Sequence, residues 1–180
     1  MKEITVLGRG GQGAVTAAYL LAVAGFEDGK YTQAFPTFGV ERRGAPVKAF
    51  VRLDNKFIRT RAQVYKSDVM LVLDPTLIEV IDIKSSIKKG GCVIINSNKK
   101  AHEFDLGGFR VYTVDATSAA FDILGRDIVN TAMLGAFAAF TGEISKQAIL
   151  NAIDNQFSGT LAEKNKKLVE VVFEKAKGGE

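Results

Sequence analysis

The stretch LGRGGQGAVTAAYLLA, Leu7 to Ala22, sets Gly8, Gly10 and Gly13 in the spacing G-x-G-x-x-G, with Arg9, Gly11 and Gln12 between them. The apolar run EITVL precedes it and an Ala- and Leu-rich run follows, which is where a strand-to-helix turn that cradles phosphate would stand. Backbone N–H groups at such a turn, with the positive end of the helix dipole behind them, favour an anion. Arg9 adds a cation and Gln12 a side-chain amide. A phosphate, a pyrophosphate or a carbonyl of another subunit would suit that chemistry. The alternative is that the glycines only permit a tight turn.

Two nucleotide readings lose support in the flanking residues. A nicotinamide site wants Asp or Glu at the end of the second strand to hold the ribose hydroxyls. The candidate second strand ends Gln33-Ala34-Phe35, and Glu27 and Asp28 stand before it. A Walker loop wants Lys-Ser/Thr after the last glycine, where this chain has Ala14-Val15. Other chemistry-bearing residues are sparse. The one histidine, His102, lies in the polar loop NKKAHEFD with no supporting metal or triad motif. The one cysteine, Cys92, opens the apolar run CVII and reads as buried. It allows no disulfide within the chain, and an iron–sulfur cluster wants about four thiolates.

The basic residues are unevenly spread. Between Arg42 and Lys66 stand eight basic residues and one acid, a local charge of +7 in a chain of net charge +4. Such a field suits an anionic ligand or an acidic partner. No helix-turn-helix or aromatic-interleaved RNA motif accompanies it, so nucleic acid is not expected. The alternative is the solvent face of a hairpin.

These residues need elements to position them. With 180 residues, 47% hydrophobic and 24% charged, the composition is that of one globular domain spanning 1–180. No apolar run nears the ~20 residues of a membrane helix, and the N-terminus runs straight into a strand pattern, so a cytoplasmic protein is expected. Strands are predicted at Glu3–Leu7, Tyr31–Phe35, Val69–Leu73, Cys92–Ile95 and Arg110–Val114. Val47, Ala49, Val51 and Leu53 alternate with Lys48 and Arg52, and Asp54-Asn55 then reads as the turn of a hairpin returning over Lys56–Thr60. Helices are predicted at Gln12–Ala24 with Gly25 as its stop, and at Ala116–Leu124, Val129–Phe140, Lys146–Asn155 and Leu161–Lys177. The pattern is that of an α/β domain: three layers, α/β/α and Rossmann-like, with a mixed, mostly parallel sheet and a helical C-terminal part.

Four motifs in order carry a resemblance: GRGGQG at Gly8 to Gly13, FGVERRGAPVKAFVRL at Phe38 to Leu53, DP at Asp74-Pro75, and NTAMLGAFAAFTG at Asn130 to Gly142. Together, over Ile4 to roughly Lys167, the chain resembles the gamma subunit of the 2-oxoacid:ferredoxin oxidoreductases. The variant ERRGAP followed by IRTR (Ile58 to Arg61) is similar to the pyruvate or branched-chain type, whereas the 2-oxoglutarate type tends to read E-x-R-G-G.

The resemblance implies a hetero-oligomeric enzyme of anaerobic metabolism, a pyruvate synthase first, with a branched-chain 2-oxoacid or 2-oxoglutarate oxidoreductase as the alternative. With coenzyme A it would convert a 2-oxoacid to an acyl-CoA, carbon dioxide and reduced ferredoxin, or run the reverse synthesis. Thiamine diphosphate with Mg and 4Fe–4S clusters would sit in other subunits. The expected partners are alpha, beta and delta subunits, and ferredoxin through the complex. This chain alone is expected to bind no cofactor and to supply no catalytic residue or metal ligand. Its candidate contact surface joins Gly8, Arg9, Gly10, Gly11, Gln12 and Gly13 to the loop holding Phe38, Gly39, Glu41, Arg42, Arg43 and Gly44. Glu41, Arg42 and Arg43 are suited to charge-assisted contacts with another subunit or with coenzyme A phosphates. An internal ion pair of the arginines with Glu41 or Asp74 is the alternative. Asn130 is placed to cap its helix or reach the same crevice. Two other readings stay open: a free-standing nucleotide-binding protein, and a scaffold that touches no ligand.

Overall fold

The computed structural model describes residues 1–37 and 43–178. β1 (Lys2–Arg9) runs into α1 (Ala14–Glu27), followed by β2 (Tyr31–Pro36), β3 (Pro46–Asp54) and β4 (Ser67–Val72). A 3-10 turn (Pro75–Glu79) and the one-turn α2 (Ile83–Ser86) lead to β5 (Ile87–Asn96), and a second 3-10 turn (Ala101–Glu103) leads to β6 (Arg110–Val114). Then come α3 (Ala116–Leu124), α4 (Ala132–Thr141), α5 (Lys146–Gln156) and α6 (Gly159–Gly178).

The sheet order is β2-β3-β1-β4-β5-β6. β1, β4, β5 and β6 are mutually parallel, and β3 is antiparallel to both β1 and β2. The predicted mixed, mostly parallel α/β sheet is thus present. Ile4 and Val6 of β1, Val51 and Leu53 of β3 and Leu71 of β4 face one way and bury against α1, α4, α5 and α6. Leu7, Met70, Val72, Val93 and Ile95 face the other way, under Leu77 and Ile83 of the short turns. Strands buried on both faces read as continuous apolar runs, which is why β1 and β4 stand out in the sequence.

The hairpin expected over Lys56–Thr60 does not form. β3 pairs instead with β2 and β1, and residues 57–61 carry no strand. They run as an irregular strap over the sheet. Arg52, expected on a solvent face, is 1% exposed beneath it. Its guanidinium donates to Glu3 Oε1 at 3.0 Å and to the Ala62 carbonyl at 2.6 Å, and lies 5.1 Å from the Phe35 ring centroid. A buried cation is tolerable only with such partners. Lys88 bridges Glu3 (3.1 Å) and Asp68 (2.8 Å), so one ion network spans β3, β1, β4 and β5. Burial pulls the Lys88 amine down, but hydrogen bonds to Asp68 and Glu3 outweigh it and hold its pKa above the ordinary value. Arg52 therefore belongs to the fold rather than to an exposed positive field.

Helix limits shift where packing overrides local signals. α1 continues through Gly25, the predicted stop. A Cβ there would come within 2.7 Å of Leu53 Cδ2, so Gly25 marks close approach to the sheet. α4 begins three residues later than predicted, at Ala132, and is buried from Ala132 to Ala138. A Cβ on Gly135 would lie 2.4 Å from the Val169 carbonyl oxygen, so α4 and α6 touch backbone to backbone. Gly135→Ala must push these helices apart. We expect a loss of about 1–3 kcal/mol, as for other overpacked cores, read as a lower urea midpoint. Unchanged stability would contradict the close contact.

Candidate functional site

The glycine loop leaves the C-terminal end of β1 beside the ends of β4 and β5, where open α/β sheets carry ligands. Its conformation is fixed from three sides. Gly10 N–H donates to the Ala45 carbonyl (2.8 Å) and Gly44 N–H to the Gly10 carbonyl (3.0 Å), which ties the loop to the segment entering β3. Arg9 N–H donates to Gln12 Oε1 at 2.7 Å and Gln12 N–H to the Arg9 carbonyl at 2.9 Å, which closes the turn. Asp74, at the end of β4, supplies the third tie. Its Oδ2 accepts from Arg9 Nε (3.1 Å) and Gln12 Nε2 (3.0 Å), and its Oδ1 from the Thr76 amide (3.0 Å) and hydroxyl (2.6 Å). Arg9 also donates to the Gly44 carbonyl at 3.1 Å and to Thr76 Oγ1 at 2.7 Å.

Burial pushes the Asp74 carboxyl up, but hydrogen bonds from Thr76 and Gln12 and the charge of Arg9 outweigh it and hold the carboxyl below its ordinary range. Among the described residues the arginine partner of Asp74 is Arg9. The cation and amide that the sequence offers to a ligand are thus engaged inside the chain.

Gly13, with φ +78°, leads into α1 without a side-chain cap. Asn130 lies against it: a Cβ on Gly13 would stand 2.5 Å from Asn130 Nδ2. Asn130 is 7% exposed, and its Oδ1 accepts from the Thr131 amide at 2.9 Å. The fold therefore brings Gly8–Gly13, Gly44 and Asn130 together, with exposed Arg43 next to Gly44. Phe38, Gly39, Glu41 and Arg42 lie outside the described residues. Between the loop and the neighbouring strand ends is a cleft of about 140 Å³ lined by Gln12, Asp74, Asn96, Thr117 and Asp127 among others. Sequence reading missed the last three. Asn96 holds the Leu73 carbonyl (3.0 Å) and the amides of Ala116 and Thr117 (3.1 and 3.2 Å), joining β4, β5 and α3. An asparagine closing the apolar run CVIIN was the available signal.

A small-molecule pocket typically needs at least ~300 Å³, so this cleft does not enclose a nucleotide. The topology gives a second reason. Antiparallel β3 lies between β1 and β2, so the end of β2 is not beside the glycine loop, where a dinucleotide's ribose would need its carboxylate. Among the described residues no group of three or more His, Cys, Asp or Glu side chains is placed to hold a metal ion. Cys92 is buried in β5, and burial pushes its thiol up, which opposes the thiolate a cluster would need. Among the described residues no helix is long and apolar enough to cross a membrane.

Among the described residues the fold is an open α/β domain whose glycine loop is tied internally and flanks only a small cleft. The chain belongs to the pyruvate ferredoxin/flavodoxin oxidoreductase family, whose model matches residues 3–175. It is 54% identical over 173 residues to the pyruvate synthase subunit PorC of Methanocaldococcus jannaschii, covering 96% of each chain. It is 51% identical over 179 residues to the pyruvate/ketoisovalerate oxidoreductases common subunit gamma of Thermococcus kodakarensis, covering 97% of each. Its fold matches the crystal structure of the pyruvate oxidoreductase subunit PORC of Thermotoga maritima with TM-score 0.84 and 36% identity, over 97% of both chains.

The lock makes a prediction. A carboxyl whose folded pKa lies below its ordinary ~3.9 stabilises the fold above that pH, and the contribution is lost as pH falls through the folded value. Asp74→Asn should cost about 1–2 kcal/mol near neutral pH. The gap to wild type should close as pH drops below about 4. Urea titrations at several pH values check this, and a gap independent of pH would contradict it.

Proposed function

We propose that this chain is the gamma subunit of a multi-subunit 2-oxoacid:ferredoxin oxidoreductase acting on pyruvate. The reaction is pyruvate, coenzyme A and oxidised ferredoxin giving acetyl-CoA, carbon dioxide and reduced ferredoxin, or its reverse. The carrying observation is identity of 54% and 51%, at near-complete mutual coverage, to chains named as subunits of such enzymes. Because one of those relatives is named for both pyruvate and ketoisovalerate oxidoreductases, substrate choice is assigned to the other subunits, with branched-chain 2-oxoacids as the second reading. Exposed aromatic side chains support an assembly role: Phe26 and Phe57 are each 70% exposed and Tyr65 78%, as suits surfaces covered by partners.

In this reading alpha, beta and delta subunits surround the chain in the cytoplasm. Thiamine diphosphate and the clusters of the other subunits supply decarboxylation and electron transfer. The part of this chain is to hold a rigid loop beside that centre. The backbone amides at the uncapped start of α1 and the exposed Arg43 are the groups suited to a coenzyme A phosphate, as an open surface contact.

Anaerobic purification of the tagged chain from its native cells, followed by substrate-dependent dye reduction, tests the proposal. The expected result is iron-rich co-purifying subunits, reduction that requires both pyruvate and coenzyme A, and a raised KM for coenzyme A in the complex carrying Arg43→Glu. A chain that elutes alone and colourless contradicts the subunit assignment. Turnover with 2-oxoglutarate but not pyruvate contradicts the substrate, and an unchanged KM removes the Arg43 contact.

A further inference from the structure

A groove of about 1000 Å³ lies along the open edge of the sheet and includes none of the glycine-loop residues. Its floor is β6, which pairs only with β5. The Ser97 amide donates to the Val114 carbonyl at 3.0 Å, so Arg110, Tyr112 and Val114 direct their backbone groups towards β5. With the two-residue period of a strand, Val111 and Thr113 direct theirs outward into the groove. These are four backbone hydrogen-bonding groups at strand spacing. Lys99, Lys100 and His102 form one bank and Lys175 and Lys177, at the end of α6, the other. Among the described residues the one carboxylate that lines the cavity, Asp115, accepts from the Ser118 amide (2.9 Å) and hydroxyl (2.6 Å) and so caps α3. Tyr112, stacked on Phe140 at 4.5 Å, makes part of the wall.

We propose that the outer edge of β6 docks an acidic, extended segment of a partner polypeptide, which adds to the sheet as a seventh strand. The outward amides and carbonyls match a peptide backbone, the mode by which a sheet edge recruits a strand. The lysine banks select for carboxylates. Lysines also guard edge strands against self-pairing, but then they stand on the strand itself. Here the one cation on the edge strand, Arg110, stands at its start and donates to the Gly90 carbonyl of β5 at 3.1 Å. Residues 111–114 are uncharged and the lysines stand on the flanking elements, so a second copy is repelled while an acidic strand is drawn in. A nucleic acid would find the charge but could not use the strand's alternating donors and acceptors.

The test uses the full chain and a capped hexapeptide of alternating Glu and Val, with the Lys and Val counterpart as control. Binding is followed through the Val111 and Thr113 amide resonances. The proposal expects saturable shifts at these two amides with the acidic peptide and none with the basic one. It also expects at least tenfold weaker binding by the Lys99→Glu/Lys100→Glu/Lys175→Glu variant. In the purified complex the same two amides should exchange at least tenfold more slowly than in the free chain. Should the charge-reversed variant fail to fold, Thr113→Pro removes one outward N–H without touching the β5 ladder and must weaken binding likewise. Equal binding of both peptides, no shift at Val111 and Thr113, or equal exchange in chain and complex would each overturn the proposal. So would a nucleic acid or a second copy of this chain covering the edge. No arm depends on pyruvate, so an active complex with unprotected β6 amides overturns this inference alone.

Discussion

The Asp74 carboxylate is the constraint on which the candidate site depends. It stands where β4 ends and accepts from Arg9, Gln12 and Thr76, groups that belong to two separate turns. Were it absent, the Arg9 guanidinium would lose the carboxylate at 3.1 Å, and the Gln12 side chain would keep only its bond from the Arg9 amide. A glycine-rich turn has little stiffness of its own. Its order is imposed by the neighbouring strand ends, through Asp74 on one side and the backbone bonds of Gly10 with Ala45 and Gly44 on the other.

That arrangement explains why a G-x-G-x-x-G loop here need not be a dinucleotide site. The spacing sets up a turn and a helix start, while nucleotide binding needs an enclosed crevice and a carboxylate on the adjacent strand. In this fold β3 occupies the adjacent position and Arg9 is paired internally. What the loop retains is a rigid outer surface.

Much of the fold was legible because burial on both faces writes itself into composition. The apolar runs of β1 and β4 and the bounds of α3 could be read from the sequence within a residue or two. The pairing of β3 could not, because Asp54-Asn55 is a good local turn signal, whereas the actual partners, β2 and β1, are set by long-range packing. Arg52 was misleading for a related reason. It occupies a polar position in a period-2 pattern, but its burial depends on Glu3 and on strap carbonyls from residues the pattern does not mention. At the site, the glycines and the Asp74-Pro75 pair were visible as motifs. The contact of Arg9 with Asp74 spans 65 positions, and no local rule reaches that far.

The account rests on this chain being necessary in the assembly and inert outside it. The direct measurement is pyruvate- and coenzyme A-dependent dye reduction by the complex prepared without this chain, then again after the purified chain is added back. The account predicts no turnover without it, none from the chain by itself, and recovery when the two are combined. Full activity in its absence, or turnover by the isolated chain, would contradict it.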